Sequence, residues 1–156
     1  MKIAVIAGSK SDEKLIDISC GVLDEFGIES DVFITSAHRS PNLTREIALK
    51  IDKTYEVAIV IAGLSAALPG VIASYTQKPV LGVPVNAELS GLDALISIAQ
   101  MPKGVPVATF GIGEKGAKNA ALFALRILSL KDNALFLKLK EVSEREEEYL
   151  RKLNVT

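Results

Sequence analysis

The segment Ser36-Ala37-His38-Arg39-Ser40-Pro41 holds the sole histidine of the 156-residue chain, directly before an arginine. An unperturbed imidazole titrates at roughly pH 6.5, so His38 can give and take a proton near neutrality. The Arg39 guanidinium is a planar, permanently charged fork suited to phosphate or carboxylate. The pair suits acid-base chemistry on an anion. It also fits a capped loop whose histidine only satisfies backbone groups, so the rest of the chain must decide.

A second stretch, Gly8-Ser9-Lys10-Ser11-Asp12, offers two hydroxyls and several backbone N–H groups at the expected start of a helix. Orphan donors and the helix dipole favour a phosphate there, and Asp12 could accept from ribose hydroxyls. Ordinary N-capping by Ser11 or Asp12 is the plain alternative. A third stretch, Gly63-Leu64-Ser65-Ala66-Ala67-Leu68-Pro69-Gly70, is small and apolar.

Other chemistries find no support. Gly111-Ile112-Gly113-Glu114-Lys115-Gly116 matches G-x-G-x-x-G, but no further strand completes the βαβ unit that a dinucleotide site requires. No Walker A sequence occurs, and Ala7-Gly8 and Ala62-Gly63 lack the acidic residues of a phospho-accepting receiver domain. One histidine and one cysteine cannot furnish a transition-metal site, although scattered carboxylates leave weak magnesium binding open. No built-in cofactor is expected.

These segments must be positioned by regular elements. Lys2 to Ala7 reads as a short strand, and Leu15, Ile18, Val22 and Phe26 then recur at helical spacing until Gly27. Ser30 to Ser36 alternates Val32 and Ile34 with polar neighbours, and a helix beginning near Pro41 carries Ile47, Leu49 and Ile51. Val57 to Ala62 is a continuous apolar run, as expected of a central parallel strand covered on both faces, and a third helix follows to Tyr75. Pro79 to Val85 and Val105 to Ile112 read as strands, Leu89 to Gln100 and Lys115 to Ser129 as helices. Asn133 to Leu153 is a last helix with a Leu135, Leu139 and Val142 stripe and a Glu144 to Glu148 charge run best read as a solvated face.

Five consecutive β-α units predict an α/β fold, a three-layer αβα sandwich around a flavodoxin-like five-stranded parallel sheet of order 2-1-3-4-5, with an extra C-terminal helix. Ligands of such sheets bind beyond the carboxyl ends of the strands at the switch point, which gathers the Gly-Ser, Ser-Ala-His-Arg and Gly-Leu-Ser loops. One domain over residues 1–156 is expected, with a core of 1–130 and a helical tail of 131–156. At this length about two thirds of the unfolded chain's surface can be buried.

Composition narrows the partners. Apolar residues make up 49% and charged residues 24%, with a formal net charge of -1. The mean hydropathy is +0.31 and the isoelectric point near 5.9, which argues against a broad nucleic-acid footprint and leaves small anions held by a few local groups. Cys20 stands alone in an apolar helical pattern, so no intrachain disulfide forms, a buried thiol is expected and the cytoplasm is the expected compartment. No apolar run approaches the roughly 20 residues of a bilayer span, and Met1 to Gly8 reads as strand rather than signal peptide.

Taken together, the loops resemble one family, the 5-(carboxyamino)imidazole ribonucleotide mutases and aminoimidazole ribonucleotide carboxylases of purine biosynthesis. The resemblance spans Lys2 to about Leu130. It rests on G-S-x-S-D at Gly8 to Asp12, S-A-H-R at Ser36 to Arg39, A-G-L-S-A-A-L-P-G at Ala62 to Gly70 and G-V-P-V at Gly82 to Val85. S-G-L-D-A-L at Ser90 to Leu95, Q-M-P at Gln100 to Pro102 and N-A-A at Asn119 to Ala121 complete it.

The resemblance implies carboxyl transfer on an imidazole ribonucleotide without cofactor or metal. It places Ser9, Ser36 and Arg39 near the phosphate, Asp12 toward the ribose, and Gly63, Leu64, Ser65, Ala66, Ala67 and Leu68 around the base and carbon dioxide, with Gly8, Ser11 and Ala37 as further substrate-binding residues. His38 becomes the proton carrier. The family's octameric state further implies that the apolar stripe of the tail is an assembly element. One departure bears on mechanism: bacterial mutases usually read A-A-H-L-P-G in the third loop, where this chain has Ala66-Ala67-Leu68-Pro69-Gly70. That loop is similar to the S-N-A-L-S-G of enzymes that carboxylate with carbon dioxide directly, whereas Arg39 and Gly82-Val83-Pro84-Val85 are mutase-like. Direct carboxylation is therefore the alternative activity, and a non-enzymatic nucleotide-binding module the alternative class.

Overall fold

Strand β3, Val57–Ala62, has every residue buried, as a run of VAIVIA must in a parallel sheet covered on both faces. It lies at the centre of the sheet in a computed structural model that describes residues 1–154. Around it stand β1 (Lys2–Ala7), β2 (Glu29–Ile34), β4 (Val80–Pro84) and β5 (Ala108–Thr109), in the order β2-β1-β3-β4-β5. All pairs are parallel. The helices are α1 (Glu13–Glu25), α2 (Pro41–Thr54), α3 (Leu68–Ala73), α4 (Leu92–Ala99), α5 (Glu114–Ser129) and α6 (Asn133–Leu153). The predicted sandwich, strand order and extra C-terminal helix are all present.

Alternation along β1 divides the core. Ile3, Val5 and Ala7 point into a cluster with Leu23, Ile59 and Leu125 under α1 and α5, while Ala4 and Ile6 join Ile51, Val60, Ile72 and Ile98 under α2, α3 and α4. Burying each large aliphatic side chain contributes about 1.5–3 kcal/mol, so both faces bind their helices firmly. Alanine dominates the buried stripe of α5, at positions 117, 120, 121 and 124, which lets that helix approach closely. In the G-x-G-x-x-G stretch it is Gly116 that permits a close approach, of the start of α5 onto the Gly111 backbone: a Cβ there would lie 1.6 Å from the Gly111 carbonyl oxygen.

Several elements differ from the periodicity. Regular pairing in β5 covers two residues instead of Val105 to Ile112, because Pro106 has no N–H to offer and the turn bonded from Val105 N–H to Pro102 O delays entry into the sheet. Helix α4 starts at Leu92 rather than Leu89, since Leu89, Ser90 and Gly91 all have positive φ, at 46°, 56° and 80°. Helix α3 ends at Ala73, short of Tyr75. On the edge strand β2, Val32 and Ile34 are exposed, and it is Phe33 that turns inward, edge-to-face with buried Tyr55 at 5.9 Å. Leu49 is likewise exposed on α2. Cys20 is half-buried and takes a hydrogen bond from Ser30 Oγ at 3.6 Å; burial pushes its thiol pKa up.

The tail divides in two. Leu135 is buried and Leu139 packs on the protein's own core, so part of the stripe expected for assembly closes the fold instead. Phe136, Leu137, Val142, Tyr149, Leu150 and Leu153 stay exposed. The charge run is solvated, with i,i+4 ion pairs such as Lys140–Glu144 and Lys152–Glu148. The expected tail of 131–156 extends two residues past the described range. No helix among the described residues is long and apolar enough to cross a membrane.

Candidate active site

Parallel register brings the carboxyl ends of four strands level, since Ala7 pairs with both Ile34 and Ile61, and Ala62 pairs with Pro84. The ladder continues one step into the loops through Gly8 N–H to Ile61 O, Thr35 N–H to Ala7 O and Val85 N–H to Ala62 O, at 2.9–3.0 Å. The loops therefore leave the sheet side by side at the β1/β3 switch point. Between them lies an open cavity of about 480 Å³.

In the first loop it is Ser9, rather than Ser11 or Asp12 of the alternative capping reading, that caps: its Oγ accepts from Ser11 N–H at 3.2 Å and from Ser11 Oγ at 2.9 Å. Asp12 is left without a capping bond and is nearly buried beside the cavity. Burial raises its pKa, and hydrogen bonds from the Ser11 hydroxyl and from the loop at Ser9 oppose that shift. The native state thus holds the Asp12 proton more tightly than the unfolded chain, so ionisation destabilises the fold. The penalty is absent below the unfolded value of 3.8 and complete above the raised native value. Asp12→Asn is expected to raise the thermal midpoint at pH 7 and to lose that advantage in acid, as calorimetry at the two pH values will show.

The second loop is a tight turn. Ser40 N–H donates to Ser36 O at 2.9 Å and Arg39 N–H to Ser36 Oγ at 3.3 Å, leaving His38 and Arg39 exposed on the cavity side. The Arg39 guanidinium reaches the Gly8 carbonyl at 3.4 Å, which sets its charge over the first loop. The third loop turns by placing Leu64 and Ala66 at φ 55° and 33°, a left-handed conformation costing roughly 1–2 kcal/mol per non-glycine residue. Ala66 and Leu68 are buried, and the close approach of Gly63 to Val85 would put a Cβ 3.2 Å from Val85 Cβ. The result is a cavity with hydroxyls, a carboxyl and a guanidinium on one side and an apolar wall of small side chains on the other.

Every residue singled out in the three loops lines this cavity: Gly8, Ser9, Ser11, Asp12, Ser36, Ala37, His38, Arg39 and Gly63 through Leu68. Ala62, Val85 and Ala87 line it as well and were not anticipated. The exit of β4 after Pro84 was the available signal, since it lies next to β3 in the predicted strand order.

A family model described as AIR carboxylase matches residues 2–149. The N5-carboxyaminoimidazole ribonucleotide mutase of Methanocaldococcus jannaschii is 53% identical over 143 residues, covering 92% of this chain and 88% of that protein. The enzyme of the same name from Haemophilus influenzae is 48% identical over 147 residues, covering 93% and 90%. A crystal structure of Treponema denticola PurE superposes with a TM-score of 0.88 at 27% identity, covering 97% of this chain and 94% of that one. With the family model matched over almost its whole length and close relatives sharing half its residues, the chain belongs to the AIR carboxylase family.

Proposed function

We propose that this chain is an N5-carboxyaminoimidazole ribonucleotide mutase of de novo purine biosynthesis. It converts the 5-carboxyamino ribonucleotide into the 5-amino-4-carboxylate in the cytosol. The observation that carries the reading is the meeting of the sole histidine, an arginine and a small apolar loop around one cavity, in a chain about half identical to curated mutases.

Arg39, Ser9 and Ser36 hold the phosphate, Asp12 the ribose, and residues 63–68 enclose the base. Protonated His38 gives its proton to the exocyclic nitrogen as the N–C bond to the carboxylate breaks, releasing carbon dioxide and the amine. The enamine-like C4 then attacks the trapped carbon dioxide, and neutral His38 removes the proton that C4 carries. The histidine ends as it began and no net proton is consumed. Holding the two fragments together replaces a bimolecular encounter, which accounts for catalysis without a cofactor. Asp12→Asn, though stabilising, should weaken nucleotide binding about tenfold or more, the usual worth of hydrogen bonds to a charged acceptor.

Ala67 supports a second capacity. A small apolar side chain there accepts neutral carbon dioxide without the desolvation of a second imidazole. The decisive experiment follows imidazole absorbance with each substrate at low and high bicarbonate. The carboxyamino compound should turn over without ATP or metal, and aminoimidazole ribonucleotide should be carboxylated measurably at high bicarbonate. If the carboxyamino compound is inert beyond its spontaneous decarboxylation while the amine plus carbon dioxide turns over rapidly, direct carboxylation replaces the mutase reading.

The working form in this proposal is a homo-octamer of single-domain subunits, and the exposed Phe136, Tyr149, Leu150 and Leu153 of α6 support an assembly role for the tail. Light scattering should give eight chains, and truncation after Leu130 should yield smaller or insoluble species.

A further inference from the structure

His38 is exposed and its side chain makes no hydrogen bond among the described residues, so its direction is set by the backbone of residues 36–40. That backbone is held from behind by three hydroxyls. Ser36 N–H lies 3.2 Å from Ser40 Oγ, which lies 3.2 Å from Thr35 Oγ1, which in turn lies 2.9 Å from Thr44 Oγ1. Thr44 Oγ1 also lies 3.1 Å from the Ser40 carbonyl.

Ser40 Oγ also lies 3.2 Å from the Ser36 carbonyl, so the chain meets the turn at both its N–H and its C=O. A hydroxyl has a single hydrogen, so the chain is satisfied in either sense: Ser40 to Thr35 to Thr44 to the Ser40 carbonyl, or Thr44 to Thr35 to Ser40 to the Ser36 carbonyl. In both senses Ser40 Oγ accepts from Ser36 N–H and each of the three hydroxyls donates once. Either way the relay ties Thr44 to the turn that carries His38 and Arg39. Thr35 and Thr44 are buried, so an interrupted relay leaves unpaired hydroxyls out of reach of water.

A second observation is independent of the first. Ser40 is the N-cap of α2, yet its side chain makes no capping bond to that helix. A serine at this position normally caps the N–H two or three residues on, a contribution of about 1 kcal/mol. Here the hydroxyl is directed backward onto the turn instead. Thr44, in the first two turns of the same helix, likewise bonds back to Ser40 O, a pattern that slightly disfavours the helix. Both local preferences are given up to hold residues 36–40.

We infer that Thr44, acting through Thr35 and Ser40, is a positioning residue that fixes the His38-Arg39 turn against the cavity. The kinetic part of this inference rests on the proposed activity; the structural part does not. The test uses Thr44→Val and Thr44→Ser in the full chain, with steady-state kinetics on the carboxyamino substrate and the imidazole NMR signal of histidine-labelled protein. One histidine gives one unambiguous signal.

Thr44→Val should lower kcat on the order of 10- to 100-fold, the scale of a displaced catalytic group, with a smaller change in KM and a shifted or broadened His38 signal. Thr44→Ser, which keeps the hydroxyl, should restore both. Wild-type kcat and signal in Thr44→Val would overturn the inference, as would equal losses in the two variants, which would mark Thr44 as packing only. If Thr44→Val fails to fold, Ser40→Ala breaks the relay at its half-buried end and is held to the same criteria. Should the wild type prove inactive on the carboxyamino compound, the functional reading falls while the His38 signal still decides the relay.

Discussion

His38→Asn is expected to lower kcat by roughly 100-fold or more, the usual worth of a positioned acid-base group. Asparagine has a similar size and hydrogen-bonding capacity but carries no exchangeable proton near neutrality, and no second histidine exists to substitute. In the proposed mechanism both proton transfers of the isomerisation pass through this one side chain, so each should be lost. The fold should be untouched, because His38 is exposed and such substitutions usually change stability within about 0.5 kcal/mol. Nucleotide binding should also persist, since the proposed mechanism assigns the phosphate and ribose to other residues. The measurement is steady-state kinetics with calorimetric titration of the product and a thermal melt. Turnover close to wild type would remove His38 from the proton path and with it the mechanism proposed above.

Arg39→Ala should act on the other kinetic constant, raising KM about 10- to 100-fold with a smaller effect on kcat. A hydrogen bond to a charged group is worth about 1.5–3 kcal/mol, and each 1.4 kcal/mol is tenfold in affinity. The guanidinium lies over the Gly8 loop, 3.4 Å from its carbonyl, and lines the same cavity as Ser9 and Ser11. Arg39→Lys should recover only part of the loss, since an ammonium is a point charge without the planar fork. The dephosphorylated nucleoside should be a poor substrate for the wild type and should respond little to Arg39→Ala, because the interaction it lacks is the one removed. Equal use of nucleoside and nucleotide by the wild type would place the phosphate elsewhere.

The sequence by itself determined the layered α/β fold, because a long-range arrangement was written in short-range pattern. Alternating apolar strands and 3.6-period helices admit few topologies once crossovers must be right-handed, and the buried run Val57 to Ala62 marked the central strand. It also singled out His38, Arg39, Asp12 and the Gly63 to Leu68 loop, since side-chain chemistry at strand exits is local information. Only the tertiary structure decided which of the apparent patterns were used. Val32 and Ile34 alternate correctly but lie at the sheet edge, where no helix covers them in the single chain, and the β5 region loses its ladder to a proline. The capping role passed from Ser11 and Asp12 to Ser9, and Ser40 left its own helix uncapped to join Thr35 and Thr44. Such choices depend on which donor and acceptor come within about 3 Å of one another. Distances between residues four or nine positions apart are set by packing, which periodicity cannot reveal.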